Sequence, residues 1–376
     1  MLERLKAMLV KEFVQVLRDP RMRFVVLVIP VVQTIIFGYA VSTDVRDVST
    51  AIYDLDNSSR SRELADRFIK SGYFDLQERV YDEARARELI DRGEVKALLR
   101  MNHGFGEQLA GGRGATVQLI LDGTDSNTAG IALNYASRIV AGYSAELQLQ
   151  AASRAAGRQI PIRGVELTSR AWYNENLESR NFFVPAIITN IVFIITMLLS
   201  SMAVVREKEI GTIEQVIVTP IGKGEFILGK TVPFILIGYI NVILISVVAV
   251  FWFEVPLRGS LLLLFGATAL FLMSSLGIGL LISTVSRTQQ QAMMSAFFVI
   301  FPAMLLSGFA FPIESMPRLV QWITYLNPMR FFLVIIRAIF QKGVGIEILW
   351  PQLMALFIIG VTILSCAILR FKKTLA

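Results

Sequence analysis

The chain has 376 residues, 54% of them hydrophobic and 18% charged, with a formal net charge of +7. Its mean hydropathy of +0.57 is too high for an ordinary soluble protein of this length, so that class is excluded and the chain is a membrane protein. No nucleic-acid partner is expected.

Residues 1–23 carry Leu2, Leu5, Leu9, Phe13 and Val16 at helical spacing with charges between them. That pattern fits an interfacial helix on the cytoplasmic side and equally a helix packed on protein. Residues 24–41, from Phe24 to Val41, form the first uncharged run long enough to cross a bilayer. Its leader is too long and charged for a signal peptide and five further spans follow, so it is expected to remain as an anchor.

Residues 42–180 are polar enough for a folded domain. Short apolar runs alternate with helical ones: Thr50 to Tyr53 then Ser58 to Lys70, Phe74 to Val80 then Asp82 to Asp91, Val95 to Arg100 then a glycine-bounded turn, and Val117 to Leu121 then a long helix from Asn127 to Ala156. This predicts a small α/β domain, extracytoplasmic by topology. Asp54, Asp56, Asp122 and Asp125 follow predicted strands and read as turn and cap residues rather than as an active site. His103 is the only histidine and Cys366 the only cysteine, so no metal site and no intrachain disulfide are expected.

Residues 181–376 contain five more uncharged runs: Asn181 to Val205, Thr231 to Phe253, Gly259 to Ser286, Thr288 to Ile313 and Ile348 to Leu369. The predicted fold is a polytopic α-helical membrane protein with six transmembrane helices. The apolar stretch Leu319 to Phe340 is interrupted by Asn327, Pro328, Arg330 and Arg337, so residues 312–342 read as a re-entrant or interfacial hairpin, not a seventh span. Basic flanks at the N-terminus, after span two, after span four and in the tail fall on one side when there are six spans, which places both termini in the cytoplasm.

The octet Gly224 to Thr231, GEFILGKT, matches the phosphate-loop pattern G-x-x-x-x-G-K-[ST]. A phosphate loop needs flexible residues whose backbone N–H groups curl around an anion. Here the variable positions are the bulky helix formers Glu225, Phe226, Ile227 and Leu228, and a membrane span follows. The octet is therefore expected to be a helix leading into the membrane, with no nucleotide site, no catalytic residue and no cofactor in this chain.

The segment 206–220 follows span two and reads REKEIGTIEQVIVTP. Gly211 offers a break, and Thr212 with Gln215 makes a capping box. Ile213, Val216 and Ile217 then share one face, flanked by Arg206, Glu207, Lys208 and Glu209. Such a helix suits a groove on a partner protein, or lies against the membrane.

REKEIGTIEQVIVTPI, GEFILGK and SMPRLVQWITYLNPMRFFLVIIRAIFQKG closely resemble the permease subunits of ABC-2 type transporters, in the drug- and lipid-exporter branch with a large extracytoplasmic domain after the first span. The resemblance covers essentially the whole chain. It implies that Arg206, Glu207, Glu209, Gly211, Thr212, Glu214 and Gln215 form an ATPase-coupling segment. It also implies that Pro317, Asn327, Pro328 and Arg330 belong to a hairpin near the outer mouth. The implied partners are a separate ATP-binding cassette ATPase subunit carrying ATP and Mg, a second permease copy or homologue, a periplasmic adaptor and membrane lipid, in a bacterial inner membrane. The implied cargo is amphipathic, drug-like or lipid-like, and Asn190, Thr196 and Asn241 are candidates to line its path, although interhelical packing is the commoner role of such groups. The competing readings are an ion-coupled secondary transporter and a membrane-anchored sensor or scaffold. The uncharged runs contain no ionisable residue, which argues against the first.

Overall fold

The computed structural model describes Arg18 and residues 20–40, 47–155, 172–174, 178–211 and 222–370. The chain divides into two compact units, Thr43–Ser169 and the combination of Met1–Ser42 with Arg170–Ala376. One helical stretch comprises Pro20–Arg23, a π-helical turn at Phe24–Val28, and α1, Ile29–Ala40. Pro30 cannot supply the N–H that the Val26 carbonyl would accept, and the π-helical turn lies where that bond is missing.

The Thr43–Ser169 unit contains a four-stranded sheet built from β1 (Val48–Asp54), β2 (Phe74–Val80), β3 (Ala97–Met101) and β4 (Val117–Leu121). The strand order is β2-β1-β3-β4, with β1 parallel to both neighbours and β4 antiparallel to β3. Its helices are α2 (Ser59–Lys70), α3 (Glu83–Asp91), α4 (Phe105–Ala110) and α5 (Ser126–Ala155). Alternation along the strands sends Val48, Ile52, Ala97, Leu99 and Met101 to a core shared with α2 and α5. Ala51, Tyr53 and Leu98 face the other way, onto Ala86 and Leu89 of α3. The sheet thus has helices on both faces, which is why its central strands read as nearly continuous apolar runs. The glycine-bounded turn expected after β3 contains α4, a short helix whose N-cap Gly104 has φ +80°.

The other unit continues with α6 (Ser179–Ile210), α7 (Lys223–Phe251), α8 (Leu261–Val285), α9 (Gln289–Leu305), α10 (Arg318–Thr324), α11 (Pro328–Arg337) and α12 (Ile346–Arg370). Helix α6 is central, buried from Val184 to Val205 on nearly every side, and its sequence accordingly shows no apolar stripe. The Phe271 ring of α8 stacks on Phe332 of α11 with centroids 4.2 Å apart, and Phe193 of α6 lies 6.0 Å from it. Small residues set the spacing. A Cβ on Gly279 would collide with Ser200 and come within 2.8 Å of the Met197 carbonyl on α6, and one on Gly277 would come within 3.0 Å of Ile363 on α12.

Among the described residues four helices, α6, α7, α8 and α12, are long and apolar enough to cross a membrane, and α10 with α11 and its π-helical extension to Lys342 makes a fifth if that pair, bent by 80°, counts as one span. The expected span Thr288 to Ile313 is shorter than its uncharged run. Helix α9 carries Pro302 inside it and stops at Leu305, where the last turn tightens into a Ser307 N–H to Met304 bond and Gly308 turns the chain at φ +84°. The expected span Phe24 to Val41 is the shorter apolar helix Phe24–Ala40. Conversely, α6 and α7 run past their uncharged segments and carry Glu207 and Lys230.

Candidate functional site

The ends of α6, α7, α8 and α9 meet where the chain leaves α6 for the proposed coupling segment. In the last turns of α6, Glu207 points inward and Glu209 outward. Lys230, two turns into α7, donates to Glu207 Oε1 at 2.6 Å, and both residues are buried, at 4% and 5% exposure. Burying either charge alone would be costly, whereas together they fasten α6 to α7. Glu209 accepts from the Gln289 backbone N–H at 2.8 Å and from the Gln289 side-chain amide, tying α6 to the first turn of α9. Lys208 donates to the Thr284 carbonyl at 3.0 Å, and the buried Ser283 hydroxyl accepts from the N–H groups of Val204 and Val205 at 2.9 and 3.0 Å. Those bonds tie α6 to the end of α8.

Two caps finish the arrangement. Gly211 closes α6 in the left-handed conformation at φ +79°, with its N–H on the Lys208 carbonyl. Thr288 caps α9 by accepting from the Gln291 N–H at 3.1 Å, and the Gln291 side chain accepts from the Arg287 N–H at 2.9 Å. On the far side of the segment, the Gly222 N–H donates to Glu225 Oε2 at 2.7 Å at the start of α7. Arg206 is exposed on the final turns of α6. Thr212, Glu214 and Gln215 lie outside the described residues.

This geometry answers the phosphate-loop match. The octet is helical from its first glycine, and from Phe226, whose N–H donates to the Gly222 carbonyl at 3.0 Å, its N–H groups bond along α7. The Lys230 ammonium is engaged by Glu207, and the Thr231 hydroxyl donates to the Ile227 carbonyl at 2.7 Å. The two residues that would hold phosphate and magnesium are engaged within the helix bundle.

The hairpin residues meet in a second cluster. Asn327 caps two helices at once: its Oδ1 accepts from the Met329 N–H at 3.1 Å at the start of α11, and its Nδ2 donates to the Ala303 carbonyl at 2.7 Å, near the broken end of α9. Pro328 occupies the first turn of α11, where no N–H is needed. Pro317 is the N-cap of α10. Arg330 donates to the Gln321 carbonyl at 3.3 Å and to the Thr324 hydroxyl, and stacks over Tyr325 at 3.8 Å. Pro185 in α6 leaves the Asn181 carbonyl without its helical partner, and Gln341 donates to that carbonyl instead.

The three candidate path residues have different surroundings. Thr196 shares a 2.7 Å hydrogen bond with Ser275 of α8. Asn190 donates to the Ala186 carbonyl at 3.4 Å and leaves its Oδ1 without a partner. Asn241, fully buried in α7, has no hydrogen bond at either amide atom. No hydrogen bond links any two of the three.

In the α/β unit the aspartates hold turns. Asp54 accepts from the N–H groups of Asp56 and Asn57 and from the Ser61 hydroxyl, Asp122 from Thr124, and Asp125 from Thr128. Asp56 accepts from the Gly106 N–H at 2.9 Å. Partial burial pushes its carboxyl upward, but hydrogen bonds from Ser58, Gly106, Gly104 and Phe105 outweigh that and hold it below the usual range. Among the described residues, no group of three or more His, Cys, Asp or Glu side chains could hold a metal ion.

The sequence reading missed Lys230 as the partner of Glu207, and it missed Gln289 as the partner of Glu209. The available signal was an acid and a base at the edges of the two apolar runs, on either side of a short loop.

Comparison with known proteins matches residues 20–369 to the family described as ABC-2 family transporter protein. The chain is 35% identical over 373 residues to the probable multidrug ABC transporter permease YbhR of Escherichia coli (strain K12), covering 99% of each chain. It is 33% identical to the probable multidrug ABC transporter permease YbhS of the same organism, covering 96% of this chain and 95% of that one. It is 30% identical to the inner membrane transport permease YhhJ, also of that organism, over 86% of this chain and 85% of the relative. A match across nearly the whole length, on a helical chain whose apolar helices are gathered around α6, settles the family: this chain is a member of the ABC-2 family of transporter proteins.

Proposed function

We propose that this chain is the permease subunit of an ABC exporter, one half of a membrane unit completed by a second copy or a homologous permease. ATP and Mg act on a separate ATPase subunit. The cargo is an amphipathic, drug-like or lipid-like molecule moved outward from the cytoplasm or inner leaflet of a bacterial inner membrane. Six spans, with the Phe24–Ala40 helix and α9 as the short ones, put both termini in the cytoplasm, the α/β unit outside, and the α10–α11 hairpin at the outer mouth. A periplasmic adaptor docks on the α/β unit.

The observation that carries this reading is the way both ends of the coupling segment are held. Glu207 stands at its start and Lys230 follows it, and their buried bond closes the loop at its base. When the ATPase pair closes, a push on the segment is passed to α6 and α7 through that bond and to α9 through Glu209 and Gln289. Arg206, Gly211, Thr212, Glu214 and Gln215 supply the docking surface. Thr196 and Asn241 each lie eleven residues, three helical turns, from Glu207 and Lys230 respectively. Asn241 therefore shares the face of α7 that Lys230 presents, Thr196 turns to Ser275 of α8, and with Asn190 they offer polar groups inside the helix bundle to a moving cargo.

The test is export of a fluorescent amphiphile from vesicles containing the chain and its ATPase. Export that needs ATP and survives collapse of ion gradients supports the proposal; export that follows the gradient without ATP overturns it.

A further inference from the structure

We propose that one ridge of α11, formed by Arg330, Val334 and Arg337, is a binding site for the phosphate headgroup of an acidic phospholipid of the surrounding bilayer. This goes beyond the transport role and requires only that the helical unit sits in a membrane.

The three residues stand at i, i+4 and i+7 and so share one face. The opposite side of α11 is core: Phe332, Leu333, Ile335 and Ile336 are buried. Val334 is 45% exposed between two half-buried guanidinium groups. Among the described residues, neither arginine has an acidic partner within ion-pair distance. Glu314, the acid of the preceding turn, contributes only its backbone carbonyl, to Gln321.

What the arginines do contact is uncharged. Arg330 has the Gln321 carbonyl, the Thr324 hydroxyl and the Tyr325 ring. Arg337 donates to the Phe182 carbonyl at 3.4 Å and the Gly308 carbonyl at 3.3 Å, and lies 3.6 Å over the Phe182 ring. Its Nη2 is shielded and has no acceptor. A guanidinium offers five N–H donors and a full charge, and neutral oxygens leave both partly unmet. In a membrane-embedded unit a charge without a counter-charge is expensive, so an anion from outside the chain is the missing partner.

The depth identifies that anion. Trp322 and Tyr325, 73% and 50% exposed, sit beside Arg330, and exposed Trp and Tyr mark the headgroup level of a bilayer. A fork of N–H donors at that level, with an apolar side chain between the cations, matches a phosphate with its acyl chains alongside.

The experiment places the full-length chain in lipid discs with a trace of photoreactive phospholipid, bearing either a phosphatidylglycerol or a phosphatidylcholine headgroup, and maps the labelled peptide. The acidic probe should label residues 318–342 at least about fivefold more than the zwitterionic one, the preference expected of one cation near a charged surface. Arg330→Gln should reduce that preference and Arg330→Lys should keep most of it. Because Arg337 also braces the Gly308 turn and α6, the comparison of headgroups on the native chain stands without any Arg337 variant. Equal labelling by both headgroups, labelling elsewhere only, or a hairpin that cross-links to a second copy in place of lipid overturns the proposal.

Discussion

Lys230 and Glu207 form a buried ion pair at 2.6 Å that joins α7 to α6 across the base of the proposed coupling segment. Replacing Lys230 with Met leaves the Glu207 carboxylate buried without a counter-charge, which costs about 3–5 kcal/mol. The double variant Glu207→Gln, Lys230→Met should recover most of that loss, because neither group then carries charge. Thermal unfolding of Lys230→Met, of Glu207→Gln and of the double variant in detergent checks this as a double-mutant cycle. Nucleotide affinity of the chain alone should be the same in all three; nucleotide binding that disappears with Lys230 would restore the phosphate-loop reading.

Asn327 is expected to matter through both ends of its amide. Asn327→Ala removes the cap of α11 and leaves the Ala303 carbonyl unmet, and should cost about 2–3 kcal/mol. Asn327→Asp keeps the acceptor for Met329 N–H but places a carboxylate against that carbonyl, so it should not rescue. If Asp is as stable as Asn in a melting assay, the bond to Ala303 contributes nothing.

Gly279 allows α8 to lie against α6. Its Cβ position is already occupied by the surroundings of Ser200, so Gly279→Ala should destabilise by about 1–3 kcal/mol through overpacking. Pairing it with Ser200→Ala should relieve part of the strain. A melting temperature unchanged by Gly279→Ala would mean that the two helices are further apart than described.

The Asp56 carboxylate has a folded value below its unfolded one, so it stabilises the α/β unit above the unfolded value, near pH 4. That contribution is lost as the pH falls through the lowered folded value. Hydrogen exchange at the Gly106 amide, which bonds to Asp56, should accelerate relative to other amides of the unit as the pH is taken below about 4. Asp56→Asn should flatten that dependence.

The apolar helices were legible because bilayer-length runs without charge are rare outside membranes, and α6, α8 and α12 lie within a few residues of the runs that foretold them. The strands Phe74–Val80 and Val117–Leu121 have the bounds read from their β-branched and apolar residues. An uncharged run does not say where a helix stops, however. The end of α9 goes with the tightened Ser307 turn and the positive φ at Gly308, neither of which changes hydropathy. In the candidate site, Glu207 and Glu209 were singled out from the motif, but their partners come from α7 and α9. A contact made 23 residues away by two charges leaves no periodic trace, so only the fold reveals it.

The most direct test is copurification of an ATPase with the mildly extracted chain, comparing the native protein with Glu214→Arg and with Lys230→Met. The account predicts an ATPase subunit bound to the native chain, lost with Glu214→Arg, and retained with Lys230→Met but no longer able to drive export. An ATPase that binds all three alike and supports export in each, or the absence of any ATPase from the native preparation, would contradict the role given to the coupling segment.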